Sequence, residues 1–197
     1  MGFNLEQQAV MLLYNKEVAA YCDPFSCEDE DLDDFFKNDA ILYQQELLGK
    51  TYAWIDQSNP TKILGMVTLA NDSIKALYVE SSTRNRLQRK ISNPKRGRSY
   101  PAVLIGRLGV SNSLKGKGLG IGSQIINFLK DWFRSTENKT GCRFLVVDAY
   151  NTPNTLHFYE KNGFKPLFKQ EDEERHFFRL NDNDPLKTRF YFFDLKW

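Results

Sequence analysis

Arg107-Leu108-Gly109-Val110-Ser111-Asn112-Ser113-Leu114-Lys115-Gly116-Lys117-Gly118-Leu119-Gly120 is the stretch on which the reading of this chain turns. An apolar strand, Val103 to Val110 with Arg107 interrupting it, feeds a loop with glycines at alternate positions. A helix follows from about Gly120 to Arg134, with Ile121, Ile125, Leu129 and Trp132 on one face. Glycine lets the backbone enter positive φ and lets a ligand come close to the main chain. The unpaired N–H groups of a helix start, with the helix dipole, attract an anion. A diphosphate flanked by Lys115 and Lys117 is the natural guest. Two nucleotide-binding patterns fail on spacing. A Walker loop needs glycine five residues ahead of Gly-Lys-Ser/Thr, but Ser111 stands there and Gly118 follows Lys117. A dinucleotide fingerprint needs a third glycine where Ile121 or Ser123 stands. A glycine-rich turn that merely joins strand to helix is the alternative.

Outward from this turn, strands and helices alternate. Phe144 to Ala149 reads as a buried strand. A short helix follows, with Thr152 as cap, Pro153 at its first position and Gly163 after its end. Thr188 to Leu195 reads as a final strand, and the charged run Lys169 to Asp184 as hairpin ends plus a loop. On the other side, Leu32, Phe35, Phe36, Tyr43 and Leu47 predict an amphipathic helix over about 28–48. Ser26 and Asp29 have capping-box spacing before it, and Gly49 is its expected stop. Thr51 to Ile55 and Lys62 to Leu69 predict two strands joined at Gln57-Ser58-Asn59-Pro60. Residues 71–99 show no regular pattern, and residues 3–24, apolar in patches, read as a helix packed on the domain or as a contact for a partner. The pattern predicts one α/β domain over residues 1–197 with a mixed sheet.

Composition narrows the classes. The chain has 197 residues and a net charge of +2, and its apolar and charged fractions are those of an ordinary globule. No apolar run reaches the roughly 18–20 residues needed to span a bilayer, and the first residues lack the basic start and apolar core of a secretory signal. Cys22, Cys27 and Cys142 form neither a disulfide framework nor a metal set. The expectation is a cytoplasmic protein without a metal or a membrane partner. Charge is uneven: Arg84, Arg86, Arg89, Lys90, Lys95, Arg96 and Arg98 fall in one stretch without an acid, leaving the rest at about −5. Such a stretch suits a phosphate backbone, a solvated loop or an acidic partner.

The glycine turn resembles the acetyl-CoA motif of the GNAT superfamily of N-acetyltransferases, Gln/Arg-x-x-Gly-x-Gly/Ala at a helix start. Lys115, Gly118 and Gly120 fall on its fixed positions, with Lys115 keeping the cation and losing the planar fork. About forty residues on, Asp148-Ala149-Tyr150-Asn151 and Phe158-Tyr159-Glu160-Lys161-Asn162-Gly163-Phe164 resemble the family's final motif. Phe25-Ser26-Cys27 with Leu32, Phe35, Phe36 and Ala40, and the tail Lys187 to Leu195, are similar to a GNAT subgroup that includes toxins of bacterial toxin–antitoxin pairs.

The resemblance implies a mixed, mostly antiparallel sheet with helices on both faces and a splayed strand pair. It implies acetyl-CoA as co-substrate. Leu108, Gly109 and Val110 would bond the pantetheine through their backbone, Lys115, Gly116, Lys117, Gly118, Leu119 and Gly120 would hold the pyrophosphate, and Asn151 would contact the pantetheine. Tyr159 falls at the general-acid position, and the Val110 N–H is the candidate oxyanion donor. No general base stands out among His157, His176, Glu46 and several aspartates. Three functions stay open: acetylation of aminoacyl-tRNA in a toxin paired with an antitoxin, acetylation of a small or protein amine, and non-catalytic binding of acyl-CoA.

Overall fold

The computed structural model describes residues 3–77, 79–89, 91–92, 99–138, 140–181 and 184–196. In chain order the elements are α1 (Leu5–Gln8), β1 (Ala9–Leu13), α2 (Lys16–Tyr21), α3 (Glu30–Asp34), a π-helical turn (Phe35–Asp39), α4 (Ala40–Gln45), β2 (Lys50–Asp56), β3 (Asn59–Lys75), α5 (Ser81–Gln88) and β4 (Ser99–Val110). A 3₁₀ turn (Asn112–Leu114) leads to α6 (Ile121–Arg134), then β5 (Phe144–Tyr150), α7 (Pro153–Lys161), β6 (Lys165–Pro166), α8 (Glu171–Phe178) and β7 (Thr188–Asp194). The sheet order is β1-β2-β3-β4-β5-β7-β6. The β4–β5 pair is parallel and the other described pairs are antiparallel, so the expected mixed, mostly antiparallel sheet is present.

The chain forms two compact units. One takes the chain up to Ala70 together with Ile105–Asp131. Here β1 pairs with β2 from Ala9↔Asp56 to Leu13↔Tyr52, and β2 pairs with β3. Tyr14, Phe36, Ala40, Ala53, Ile55, Ile63 and Met66 make a buried cluster. The apolar stripe of α6 packs by close approach: a Cβ on Gly65 would lie 2.7 Å from Ile125 Cδ1, and Phe128 meets Trp54 edge-on at 5.7 Å.

The long helix expected over 28–48 is corrected. It runs in three pieces, and its cap is Asp29, whose carboxylate accepts from the Leu32 N–H. Ser26 donates instead to Asp33 at 2.6 Å. The helical stretch ends at Gln45, and Leu47 takes the left-handed conformation, φ 60, in place of a glycine. Gly49 serves close packing: a Cβ there would lie 2.8 Å from both Tyr43 and the Leu69 carbonyl. Residues 3–24 form two short helices around edge strand β1. Asn4 and Asn15 cap them by accepting from backbone N–H groups, which local apolar periodicity could not reveal.

The other unit takes Asn71–Leu104 and the chain from Trp132 onward. Strand β7 pairs with β5 along its whole length, from Phe144↔Asp194 to Tyr150↔Thr188, and with β6 on its other edge. The described β4–β5 pairs are Ala102↔Phe144, Val103↔Leu145 and Leu104↔Val146. Ile74, Leu87, Tyr100, Phe144, Val146 and Phe168 belong to its core.

Two readings are corrected here. The charged run Lys169–Asp184 contains helix α8 rather than a hairpin. Its first turn carries Glu171, Asp172, Glu173 and Glu174, favourable at a helix N-terminus, and Arg179 at φ 55 ends it. Within 71–99, β3 runs on to Lys75 and α5 follows, its inward residues Thr83 and Leu87 masked in the sequence by arginines.

Candidate functional site

The glycine turn is built by backbone conformation. Gly116, Gly118 and Gly120 stand at φ 72, 66 and 63, while Lys117 and Leu119 between them keep negative φ. A Cβ at any of the three would meet nothing within 4 Å, so these glycines are required by the path of the chain and not by packing. Alternation of hand along a loop turns successive N–H groups toward one concave side, which is how a nest binds an anion. Within the loop, Lys115 N–H donates to Asn112 and Lys117 N–H to Leu114, and Gln124 N–H makes the first helical bond, to Gly120. Among the described residues, the N–H groups of Gly116, Gly118, Leu119 and Gly120 donate to no acceptor. They are unbonded donors at the start of a 14-residue helix, with Gly116, Gly118 and Gly120 exposed and Leu119 half-buried. A pyrophosphate fits this donor set.

Strand β4 enters the loop with its own constraint. Gly109 is a packing glycine: a Cβ would lie 3.1 Å from Cys27 Sγ and from Phe36, and 3.2 Å from Phe25. Ser111 N–H donates to Leu64 and Asn112 N–H to Ser26, which fixes the exit of the strand. The Lys115 ammonium donates to the Cys27 carbonyl and lies 3.4 Å from Glu28. It therefore ties the loop to the segment before α3, beside Asp33. Burial alone would raise the Asp33 carboxyl, but hydrogen bonds from Ser26 and Cys27, and then the Lys115 ammonium, hold it below the usual carboxylate range. Burial, then Asp33, pushes the Cys27 thiol up to about 12, so it stays protonated and inert. Sequence reasoning missed Gln124. Its amide donates to the Leu119 and Phe3 carbonyls and its Oε1 accepts from Leu5 N–H, pinning the turn from inside α6.

In the second unit, α7 forms as its caps require: Thr152 accepts from Thr155 N–H, Pro153 opens the helix and Gly163 follows it at φ 80. Tyr159 is buried, with Phe158 at 5.1 Å and Phe164 at 5.4 Å. Burial raises its phenol far above the ordinary value. Among the described residues its hydroxyl has no hydrogen-bond partner. His157 is exposed, as are His176 and Glu46. Asn151 is committed within the protein: its N–H donates to Lys187, and its side-chain amide to Leu186 at 3.0 Å and Glu171 at 3.3 Å.

The basic stretch divides. The Arg86 guanidinium donates to the Pro166 and Leu167 carbonyls at 2.7 and 2.5 Å and lies over Phe192. Arg84 bonds Ser81, and Arg89 is exposed. Lys90, Lys95, Arg96 and Arg98 lie outside the described residues. Among the described residues no helix is long and apolar enough to cross a membrane.

Several solved structures share this architecture. AtaT complexed with acetyl-methionyl-tRNAfMet matches with a TM-score of 0.68 at 22% identity, over 95% of this chain and 95% of that one. A tyrosine-to-phenylalanine variant of KacT gives 0.69 at 22% identity, over 96% of each chain. AtaTR bound with AcCoA gives 0.66 at 20%, over 96% of this chain and 95% of that one. Likeness at these identities speaks for the fold. The family model described as "Acetyltransferase (GNAT) family" matches residues 12–164, which takes in both the glycine turn and the Tyr159 motif, and the chain belongs to that family.

Proposed function

We propose that this protein moves the acetyl group of acetyl-CoA to a primary amine, and that the amine is the free amino group of an aminoacyl-tRNA in a toxin paired with an antitoxin. The observation that carries the transfer reading is the set of unbonded N–H groups at Gly116, Gly118, Leu119 and Gly120, held open by three left-handed glycines. These donors would take the pyrophosphate, with Lys117 beside them, while Lys115 positions the loop. The backbone of Leu108, Gly109 and Val110 would bond the pantetheine, and the Asn151 carboxamide oxygen is left for the same arm. Tyr159 is protonated throughout the neutral range and would donate to the departing sulfur. The Val110 N–H would face the developing oxyanion.

Support for the tRNA acceptor comes from the AtaT structure with acetyl-methionyl-tRNAfMet and from AtaT bound to the C-terminus of its antitoxin AtaR, both of this fold. The basic stretch adds Arg84, Arg89, Lys90, Lys95, Arg96 and Arg98 as phosphate contacts, with Arg86 withdrawn into the protein. The same withdrawal, with a net charge of only +2, favours the second reading, a small or protein amine as acceptor. The test is purified protein with labelled acetyl-CoA and a total aminoacyl-tRNA pool, beside amine and peptide panels. Label on charged tRNA bears out the first reading; label on amines or peptides alone selects the second; tight binding without transfer to any acceptor rejects catalysis.

A further inference from the structure

Donors on a flexible loop bind an anion well only if something holds their direction, and a glycine has no side chain with which to hold its own. In the first unit the hold comes from Gln124. Its side-chain amide donates to the Leu119 carbonyl at 2.8 Å, and its backbone N–H donates to the Gly120 carbonyl at 3.0 Å. One residue thus grips two successive peptide groups of the turn. A trans peptide is planar, with its C=O and N–H on opposite sides. Holding the Leu119 carbonyl toward Gln124 therefore turns the Gly120 N–H away from it, and that N–H is one of the four donors left without an acceptor among the described residues. No backbone N–H of the described residues donates to the Leu119 carbonyl, so this peptide plane rests on the Gln124 carboxamide.

The carboxamide is itself held from the far end of the chain. Its nitrogen also donates to the Phe3 carbonyl at 3.0 Å, and its Oε1 accepts from the Leu5 N–H at 2.7 Å. A carboxamide offers two N–H donors and one oxygen, and here each of them is engaged. The pattern admits one orientation: turned over, the oxygen would face two carbonyls and the nitrogen would face an N–H. Phe3 and Leu5 are anchored in turn. Leu5 is 1% exposed. Asn4 caps α1 by accepting from the Glu6 and Gln7 N–H groups, and α1 runs directly into β1, which pairs with β2. Support passes from the edge of the sheet through α1 and Gln124 to a peptide plane of the turn, all within one compact unit.

We propose that Gln124 is a positioning residue for the diphosphate and that the segment Phe3–Leu5 belongs to the same device, an inference that rests on the acetyl-CoA reading of the turn. Together they preset the Gly120 N–H before the ligand arrives, so that ordering the turn does not subtract from binding. The consequence is selective. A thioester that carries the diphosphate gains from a preset turn. Acetyl-pantetheine, which has the same acetyl thioester and ends before the diphosphate, does not.

The experiment uses the full chain. Acetyl-CoA binding is read by calorimetry, and kcat and KM for acetyl-CoA and for acetyl-pantetheine are read with whichever acceptor takes label from the wild type. Gln124→Met keeps the length and helix propensity of the side chain and removes its hydrogen bonds. It is expected to bind acetyl-CoA roughly 5- to 30-fold more weakly. KM for acetyl-CoA should rise by the same factor, while kcat, and kcat/KM for acetyl-pantetheine, stay within about threefold of wild type. Asn4→Ala loosens α1 without removing an atom of Gln124, and should weaken acetyl-CoA binding by about 2- to 5-fold. The double variant should bind no more weakly than Gln124→Met alone, because the cap acts through Gln124. Gln124→Met that binds acetyl-CoA within about twofold of wild type overturns the positioning role. So does an equal loss with both thioesters, which would make Gln124 a packing residue. Losses that add in full in the double variant overturn the part assigned to Phe3–Leu5. Wild-type protein that binds no acetyl-CoA removes the reading of the turn itself, and the role of Gln124 with it.

Discussion

The glycine turn of the first unit and the α7 segment of the second would serve the proposed chemistry by opposite means. Between Lys115 and Gly120 the proposed groups are main-chain N–H donors left unbonded along a path with three positive φ values. In α7 the proposed group is one side chain, Tyr159, enclosed by Phe158 and Phe164, and its phenol is raised by that enclosure. A site written in backbone conformation is sensitive to a methyl group added where there is ample room. A site written in a buried side chain is sensitive to loss of one oxygen from a ring that otherwise still fits.

The sharpest way to break this contrast is Tyr159→Phe. Packing of the ring is kept and the proton is lost, so kcat is expected to fall by roughly 10²- to 10⁴-fold with acetyl-CoA binding unchanged in calorimetry. Turnover at the wild-type rate would take Tyr159 out of the chemistry. Glu174→Ala probes the support of the same unit. Glu174 is buried, and its carboxylate accepts from Arg189 and from the Phe190 N–H. Removing it leaves the mostly buried Arg189 guanidinium with only Glu171 and the Phe168 carbonyl and the Phe190 N–H without its acceptor, at about 3 kcal/mol of folding stability in a denaturant titration.

For the turn, Gly118→Ala carries a cost of about 1–2 kcal/mol for holding a side chain in left-handed conformation. That corresponds to roughly a 5- to 30-fold weaker acetyl-CoA affinity if the loop relaxes to escape it. Gly141→Ala is its control, with equal open space and no positive φ, and should change neither affinity nor melting temperature. Equal effects of the two alanines would mean that conformation is not what Gly118 supplies.

Asp148→Asn has a pH-dependent stability signature. The folded carboxyl lies above its unfolded value, so the stability tied to it is present below about pH 3.9, the unfolded value, and is lost as pH rises through the folded value. Relative to wild type the variant should be slightly more stable at neutral pH, within about 1 kcal/mol given its exposure to solvent, and the difference should vanish in acid. Lys115→Met is the smallest effect on folding. Its ion pair with Glu28 is 45% and 61% exposed at the two side chains, so below about 1 kcal/mol is expected in thermal melts.

Much of this was legible in the chain. Glycines at alternate positions have few uses, and all three take the positive φ that their spacing suggested. Thr152, Pro153 and Gly163 bounded α7 because caps act locally. What failed depended on distant partners. Helix α8 was hidden because its inward residue is Glu174, a charge that can be buried only because Arg189 meets it from a strand fifteen residues on. Gly49 looked like a helix stop and is a contact with Tyr43 and Leu69. Arg86 looked like one more surface cation until the carbonyls of Pro166 and Leu167 arrived beside it.

The sequence by itself determined the family, the left-handed glycines of the turn and the position of the tyrosine, because these rest on backbone geometry and short-range spacing. The tertiary structure alone decided which polar groups are committed and which are left over. Lys115 is tied to Cys27 and Asn151 to Leu186, whereas the N–H groups of the turn and the Asp148 carboxylate have no partner among the described residues. Hydrogen bonds and ion pairs between residues far apart in the chain saturate some groups and pass others by, and local sequence carries no record of that distribution.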